Sequence, residues 1–252
     1  MRPFILHLII IMVSFPAMGV AQSEPSAEKI VNDAFQYWRG QASTAVADMV
    51  IHRPSWERTM TVKAWTRGEK DALFVIIAPA KDNGNGTLKK GQNMWMYNPK
   101  VNRVIKLPPS MMAQAWQGSD FSNNDLAKTD SLITDYTHTL VSRSTQDGKT
   151  VYHIESIPKP DAPVIWGMIR LEIREDLILL AETFYDEERQ PVKEMTATDI
   201  RMANDRLFPM TWTMEKSGVP DEYTRFTYRE LTFSPTLDER FFSLSSLKTG
   251  GK

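Results

Sequence analysis

Residues 207–217, LFPMTWTMEKS, alternate apolar and polar side chains. Met210, Trp212 and Met214 fall on one side of an extended chain, and two threonines fall on the other, because successive side chains of a β-strand point in opposite directions. A strand with one apolar and one polar face is typical of a sheet that buries one side and exposes the other. This stretch therefore predicts a half-buried β-strand.

The same period-two pattern continues through most of the chain after residue 40. It recurs in residues 59–65, 71–79, 93–99, 102–109, 135–142, 150–158, 162–176, 177–188, 191–202 and 222–235. Short turn sequences such as DGK at 147–149 join these segments, and residues 81–92, KDNGNGTLKKGQ, read as a hairpin connection. Because parallel neighbours need long crossovers, we predict a mainly β (α+β) fold with a single antiparallel sheet of about 10–11 strands.

Only two segments favour helices. Residues 26–39 carry an apolar stripe at helical spacing, with Ser26 before it as a cap and Gly40 after it as a stop. A second, shorter helix is expected around Ser110–Gln117. Two short helices cover a sheet of this size poorly, which indicates a concave apolar surface with spare volume, as a lipid-binding site requires. A fully filled small barrel is the alternative.

The N-terminus has the layout of a signal peptide. A positive start at Arg2 is followed by the apolar run FILHLIIIMV at 4–13 and by small residues up to Ala21. The run is too short for a membrane span of about 20 residues. We expect residues 1–21 to be cleaved, an exported periplasmic protein, and one domain over residues 22–252.

Composition excludes several classes of function. The chain has 252 residues, a formal net charge of −1, four histidines and no cysteine. A nucleic-acid-binding domain usually has a basic surplus, so no nucleic-acid partner is expected. Disulfides are impossible, and few residues could hold a structural zinc ion, so we expect no metal and no cofactor.

The most polar stretch of the chain is residues 117–130, QGSDFSNNDLAKTD. Asp120, Ser122 and Asn124 imitate the start of a calcium loop, but Asp125 replaces the turn glycine and Ser131 replaces the bidentate glutamate. We therefore interpret it as a structural loop at the mouth of a cavity. Ser119 and Asp120 are expected to act as helix caps, and residues 122–125 as a tight bend.

Catalytic motifs are incomplete elsewhere too. The glycines at 84 and 86 lack the third glycine of a dinucleotide fingerprint, and Gln92 stands where a phosphate loop needs lysine. Ser119 lies beside an aspartate without a histidine nearby in sequence, which leaves a serine hydrolase assembled in space as an alternative. No catalytic residue is assigned.

Methionine and aromatic residues cluster between positions 94 and 121, and flexible, polarisable methionine suits acyl chains of variable shape. Ordinary core packing is the alternative. We predict that residues of this cluster line or gate an apolar cavity whose walls come from the strands. The twelve candidates are Met60, Phe74, Met94, Met96, Met111, Met112, Trp116, Phe121, Ile169, Met210, Trp212 and Phe226.

Several segments together resemble the outer-membrane lipoprotein-sorting family, in its LolA-like, uncharacterised branch. They are, in order, GTLKKGQNMWMYNPKVNRVIKLP (86–108), GSDFSNNDL (118–126), LLAETFYDEERQPVKEMTATDI (179–200), LFPMTWTME (207–215) and LDERFFSLSSL (237–247). The resemblance implies a strongly curved, incomplete (half) β-barrel lidded by short helices. It leaves open which of Arg53, Arg58 and Arg67 would contact the lid.

The resemblance also implies a function without catalysis. The expected protein is a periplasmic, non-enzymatic carrier that takes the acyl chains of a lipid or acylated lipoprotein from an inner-membrane transporter of the ABC or RND type to the outer membrane. It is expected to be a monomer. A lipid-sensing adaptor of the same fold and a secreted ester hydrolase are the alternatives.

Overall fold

The structure is a computed structural model, and it describes residues 24–127, 131–234 and 236–251. The expected signal peptide, residues 1–21, lies outside these ranges. Within them, no helix has the length and apolar character to cross a membrane.

The fold is one antiparallel sheet of 13 strands. The first six are β1 (Ala42–Arg53), β2 (Trp56–Arg67), β3 (Asp71–Ala78), β4 (Gly86–Lys90), β5 (Asn93–Asn98) and β6 (Arg103–Lys106). The other seven are β7 (Tyr136–Gln146), β8 (Lys149–Pro158), β9 (Met168–Arg174), β10 (Leu179–Tyr185), β11 (Pro191–Ala203), β12 (Arg206–Lys216) and β13 (Tyr223–Ser234).

The strand order makes two meanders that join in the middle. It runs β6-β5-β4-β3-β2-β1-β13-β12-β11-β10-β9-β8-β7, so the first and last strands pair with each other. Strands β6 and β7 are then the two edges of the described sheet, which is not closed. The predicted mainly β, single-sheet, incomplete-barrel architecture is confirmed.

The pattern of residues 207–217 predicts β12 correctly. Met210, Trp212 and Met214 are all buried, at 5%, 3% and 1% exposure, and Trp212 lies opposite Phe226 of β13. The apolar side of this strand therefore faces the interior, as its alternation indicates.

The strand count of about 10–11 is too low, because β1 and β4 were not predicted. Strand β1 has small residues at inward positions, including Ala45 and Ala47, so its apolar face is weak in sequence. Strand β4, GTLKK, lies within the stretch interpreted as a loop, since glycine and lysine disfavour strands. Pairing with β3 and β5 holds it in the sheet, and it even buries Lys89.

The helices are short. The first, α1 (Ala27–Arg39), begins after the N-cap Ser26 and ends at Gly40, as predicted; Gly40 has a positive φ of 61°, which favours glycine. The helix expected around Ser110–Gln117 is wrong: two 3₁₀ turns occur there, Pro109–Met111 and Trp116–Gly118, because adjacent prolines and a glycine break the segment. Three further helices were not predicted: α2 (Asn123–Ala127), α3 (Ser131–Asp135) and α4 (Leu244–Thr249).

Candidate functional site: an apolar cavity under a crossing segment

Residues 107–135 connect opposite edges of the sheet, and we call them the crossing segment. Strand β6 ends at one edge and β7 begins at the other. The chain between them must therefore pass across one face of the sheet. Most of this segment is irregular, with α2 and α3 as its α-helical parts in the described chain.

An apolar cavity of about 280 Å³ lies between the sheet, the crossing segment and the last turns of α1. Its wall includes Phe74 of β3 and Ile169 of β9, which are separated by six strands in the sheet order. Because adjacent strands lie about 4.8 Å apart, a flat sheet would hold these positions more than about 30 Å from each other. The sheet therefore curves around the cavity.

Trp116 fixes the crossing segment against the first meander. Its indole Nε1 donates a hydrogen bond to Thr87 Oγ1 at 3.0 Å, and its ring packs against Phe74 and Phe226 with centroid separations of 5.7 and 6.3 Å. Trp116 is 2% exposed. Its side chain forms part of the core and part of the cavity wall.

Phe121 lies next to this anchor but is only half-buried. Its ring meets Phe226 edge-to-face with centroids 5.3 Å apart, and its backbone carbonyl accepts a 2.7 Å hydrogen bond from Trp116 N–H. The side chain therefore borders the cavity, while the backbone holds the bend of the loop.

Asp120 ties the crossing segment to β1 and β13. Its fully buried carboxylate accepts hydrogen bonds from Arg53 at 2.9 and 3.1 Å and from Thr224 Oγ1 at 2.7 Å. Lys216 Nζ lies 3.3 Å away. The predicted role of Asp120 as a helix cap is wrong, because Arg53 competes successfully for the carboxylate.

The bend at 122–125 is as predicted, and it begins α2. Ser122 Oγ accepts from Asp125 N–H at 3.2 Å, and the Asp125 carboxylate accepts from Ser122 N–H at 2.7 Å. This reciprocal pair is a capping box. Ser119 is the C-cap residue of the 3₁₀ turn Trp116–Gly118, and its backbone N–H and its hydroxyl both donate to the Trp116 carbonyl, at 2.9 and 2.7 Å.

A second buried ion pair ties α2 to β11. Lys193 donates to the Asp125 carboxylate, and both side chains are largely buried, at 7% and 10% exposure. The Lys193 ammonium also lies 5.1 Å from the ring centroids of both Trp166 and Phe184. The aromatic faces stabilise the ammonium in an otherwise apolar site.

Glu182 of β10 lies beside this ion pair and lines the cavity. It is 9% exposed, and it is a diagonal neighbour of Lys193 across the β10–β11 pair. Burial raises the pKa of the Glu182 carboxyl to about 8; the Asp125 carboxylate adds to the rise and the Lys193 ammonium opposes it. Glu182 is therefore mainly a neutral carboxylic acid at pH 7.

Of the twelve candidate residues, six line the cavity. They are Phe74, Trp116, Phe121, Ile169, Trp212 and Phe226. Their role in binding a ligand stays a prediction.

The other six candidates lie elsewhere in the core. Met94, Met96, Met111 and Met112 pack with Leu107, Leu126 and Ala127 where the crossing segment leaves β6. Met60 packs in the cluster around Trp116, and Met210 packs with Phe208 and Ala203. The methionine-rich stretch therefore packs at the start of the crossing segment and does not line the cavity. Met111 and Met112 lie at the end of the 3₁₀ turn with which the crossing segment begins.

Sequence reasoning missed Glu182 and Lys193. A signal for both was present, since each occupies an inward position of an alternating strand, beside Phe184 and Met195 respectively. A charged residue on an apolar face is rarely buried without a partner or a function. Their proximity to Asp125 could not be read from sequence, because Asp125 lies 68 residues from Lys193.

Two of the three candidate lid arginines contact the crossing segment. Arg53 does so through Asp120, and Arg58 donates to the Gln117 carbonyl at 3.3 Å. Arg67 instead pairs with Asp71 and Glu239. Among the described side chains, no group of three or more His, Asp or Glu residues could hold a metal ion.

Comparison with known families gives one match to a family model. A model described only as that of an uncharacterised protein matches residues 68–249. No curated protein matches the sequence.

Solved structures with the same fold cover nearly all of the described chain. A DUF1329 family protein from Desulfovibrio piger has a TM-score of 0.78 at 23% identity, with 88% of this chain and 97% of that chain covered. An outer membrane lipoprotein-sorting protein domain from Vibrio parahaemolyticus has a TM-score of 0.77 at 18% identity, covering 88% and 98%. A LolA superfamily protein from Nitrosomonas europaea has a TM-score of 0.73 at 19% identity, covering 88% and 100%. The fold is LolA-like.

Proposed function

Because this chain belongs to the uncharacterised family whose model spans residues 68–249 and has the LolA-like fold, we propose that it is a non-enzymatic carrier of acyl chains. Its cargo is a lipid or an acylated lipoprotein, which it shelters from water in the cavity under the crossing segment. The observation that carries the proposal is this cavity itself, walled by aromatic and aliphatic side chains from both meanders and from the crossing segment.

The energetics of such a cavity suit an acyl ligand. Burying one methylene group releases about 0.8 kcal/mol, so five or six buried methylenes would supply about 4–5 kcal/mol. The volume of about 280 Å³ is near the lower end of ligand pockets, which span about 300–1,000 Å³. In this closed form the cavity suits part of a long chain, and a complete chain requires displacement of the crossing segment.

We further propose that the protein works in the periplasm, between an inner-membrane transporter of the ABC or RND type and the outer membrane. The signal-peptide pattern of residues 1–21 supports export. A structural relative described as an outer membrane lipoprotein-sorting domain supports the destination. Release needs an acceptor that binds the cargo more tightly, because a ligand shifts an equilibrium only through differential affinity.

The direct test is native mass spectrometry of protein purified from cells, followed by extraction and identification of bound lipid. Co-purified acyl lipid that then moves from the protein to acceptor vesicles would support the carrier. Bound lipid that does not transfer would favour the lipid-sensing adaptor. An empty cavity together with turnover of an ester substrate would favour the hydrolase.

A variant at the cavity border sharpens this test. Phe121→Asp would place a charge at the half-buried edge of the cavity, and we expect binding of an acyl probe to be lost. Its matched control is Met202→Asp, at a residue of β11 that is 58% exposed and outside the cavity wall. Trp116 is unsuitable, because its burial and its bond to Thr87 make it part of the core.

Both variants should keep the far-ultraviolet circular dichroism of the parent. Unchanged probe binding by a folded Phe121→Asp protein would refute the assignment of Phe121 to the cavity mouth.

A further inference from the structure

The apolar cavity wall contains the acidic side chain of Glu182, and its burial there calls for an explanation. Glu182 is nine-tenths buried, and it lines the cavity. Across residues 24–127, 131–234 and 236–251, no group donates a hydrogen bond to its carboxyl. Burying a polar group without a partner costs free energy, so an unpartnered acid at this position calls for a role.

The charges around Glu182 are already balanced. Asp125 from α2 and Lys193 from β11 form an ion pair beside it. Tyr136 of β7 also faces it: burial first, and then the Glu182 charge, raise the pKa of this phenol, which keeps Tyr136 neutral. With Glu182 protonated, the group of four side chains has no net charge.

We propose that Glu182 is the polar anchor of the cavity, and that its carboxylic O–H donates a hydrogen bond to the carbonyl oxygen of a neutral acyl ester. This inference rests on the proposed carrier function and names the chemical class of its cargo. At this end of the cavity a free fatty acid fits poorly, because its carboxylate would face Asp125 and Glu182, while the Lys193 ammonium is already engaged by Asp125. Arg39, the cationic side chain that lines the cavity itself, donates a hydrogen bond to the Gly68 carbonyl at 3.1 Å.

The raised pKa of Glu182, about 8, keeps the donor proton in place at neutral pH. If only protein with a protonated Glu182 binds the ester, the apparent Kd equals the intrinsic Kd divided by the protonated fraction. Affinity for an ester should therefore be constant below about pH 7 and fall about tenfold at pH 9.

The test compares mono-oleoylglycerol with oleate, using delipidated full-length mature protein and fluorescence or calorimetric titration. We expect mono-oleoylglycerol to bind more tightly than oleate. Glu182→Leu, which removes the donor but suits an apolar wall, should weaken ester binding about fivefold to tenfold, the range expected for one hydrogen bond. Glu182→Gln keeps an N–H donor and should bind the ester without the loss at pH 9.

The matched control is Glu172→Leu. Glu172 lies on the neighbouring strand β9 with a side chain that is 41% exposed and paired with His153. This variant should bind both probes as the parent does.

A third probe, a peptide with an N-terminal diacylglyceryl-cysteine, separates the two sources of acyl esters. If only the peptide needs Glu182 for tight binding, the cargo is a lipoprotein. If only the glyceride needs it, the cargo is a free lipid. Both results support Glu182 as the anchor. Ester affinity that is unchanged in Glu182→Leu, or oleate binding as tight as the ester, would overturn it. If no acyl probe binds the parent protein at all, the carrier function itself fails, which is a different result.

Discussion

The Glu182→Gln substitution keeps the shape of the side chain and removes its titration. The ordinary pKa of a glutamic acid is 4.5, and burial raises that of Glu182 to about 8. Between these values the unfolded chain has lost this proton and the folded protein still holds it. Because the folded state binds more protons, the free energy of unfolding falls as pH rises through this window.

The magnitude follows from the size of the shift. Each pH unit inside the window costs about 1.4 kcal/mol of stability, so the parent protein should lose about 3–4 kcal/mol between pH 5 and pH 8 from this one group. The glutamine variant lacks this loss. The difference between the two unfolding free energies should therefore grow with pH in favour of the variant, and level off above about pH 8.

The assay is urea denaturation of delipidated protein at pH 5, 6, 7 and 8, analysed as the difference between parent and variant. His138 is buried with a lowered pKa and contributes its own pH dependence, which cancels because both proteins carry it. Glu172→Gln is the control, and the difference between its unfolding free energy and that of the parent should be the same at each pH. Parallel curves for Glu182→Gln and the parent would refute a neutral, unpartnered acid in the cavity wall.

Two further substitutions test how the chain is held together. Asp120→Ala leaves Arg53 buried without its main partner and should lower the free energy of unfolding by about 3–5 kcal/mol. In the same denaturation assay, Asp33→Ala, which removes a solvent-exposed ion pair with Lys29 on α1, should change it by less than about 1 kcal/mol. Equal effects would contradict a structural role for Asp120. Gly167→Ala would drive its methyl group into the backbone of Asp186 and Glu187 and should destabilise the fold more than Gly86→Ala, whose methyl group would clash with the end of the Leu247 side chain and meet its carbonyl oxygen only at an ordinary contact distance. The reverse order of melting temperatures would contradict this packing.

The alternation of apolar and polar residues in the sequence was enough to predict most strands of the sheet. Strand β12 and its neighbours have one clearly apolar face, and burial follows that face. Strand β4 shows no such alternation, because four of its five residues are buried, including Leu88 and Lys89 on opposite sides of the strand. Its hydrogen bonds to β3 and β5, rather than a periodic pattern, identify it as a strand. A strand that is fixed by its neighbours leaves little trace in its local sequence.

The candidate site was predictable only in part, for a related reason. Phe74, Trp212 and Phe226 lie on apolar strand faces and were found by alternation. The contacts of Asp120 with Arg53 and of Asp125 with Lys193 join residues 67 and 68 positions apart. No spacing rule relates such residues, because the curvature of the sheet and the path of the crossing segment bring them together.

The path of the crossing segment also explains why residues 117–127 are so polar. A cover that is mostly irregular cannot satisfy its backbone groups within helices or strands, so buried peptide groups need other partners. Side chains supply several of them: Ser119 Oγ accepts from Phe121 N–H at 3.2 Å, Asn123 Nδ2 donates to the Met111 carbonyl at 3.0 Å, and Thr224 Oγ1 accepts from Asp120 N–H at 2.9 Å. The polar residues that imitate a metal or catalytic loop in the sequence thus hold an irregular chain over an apolar cavity, and the acid that faces the cavity, Glu182, comes from the sheet beneath them.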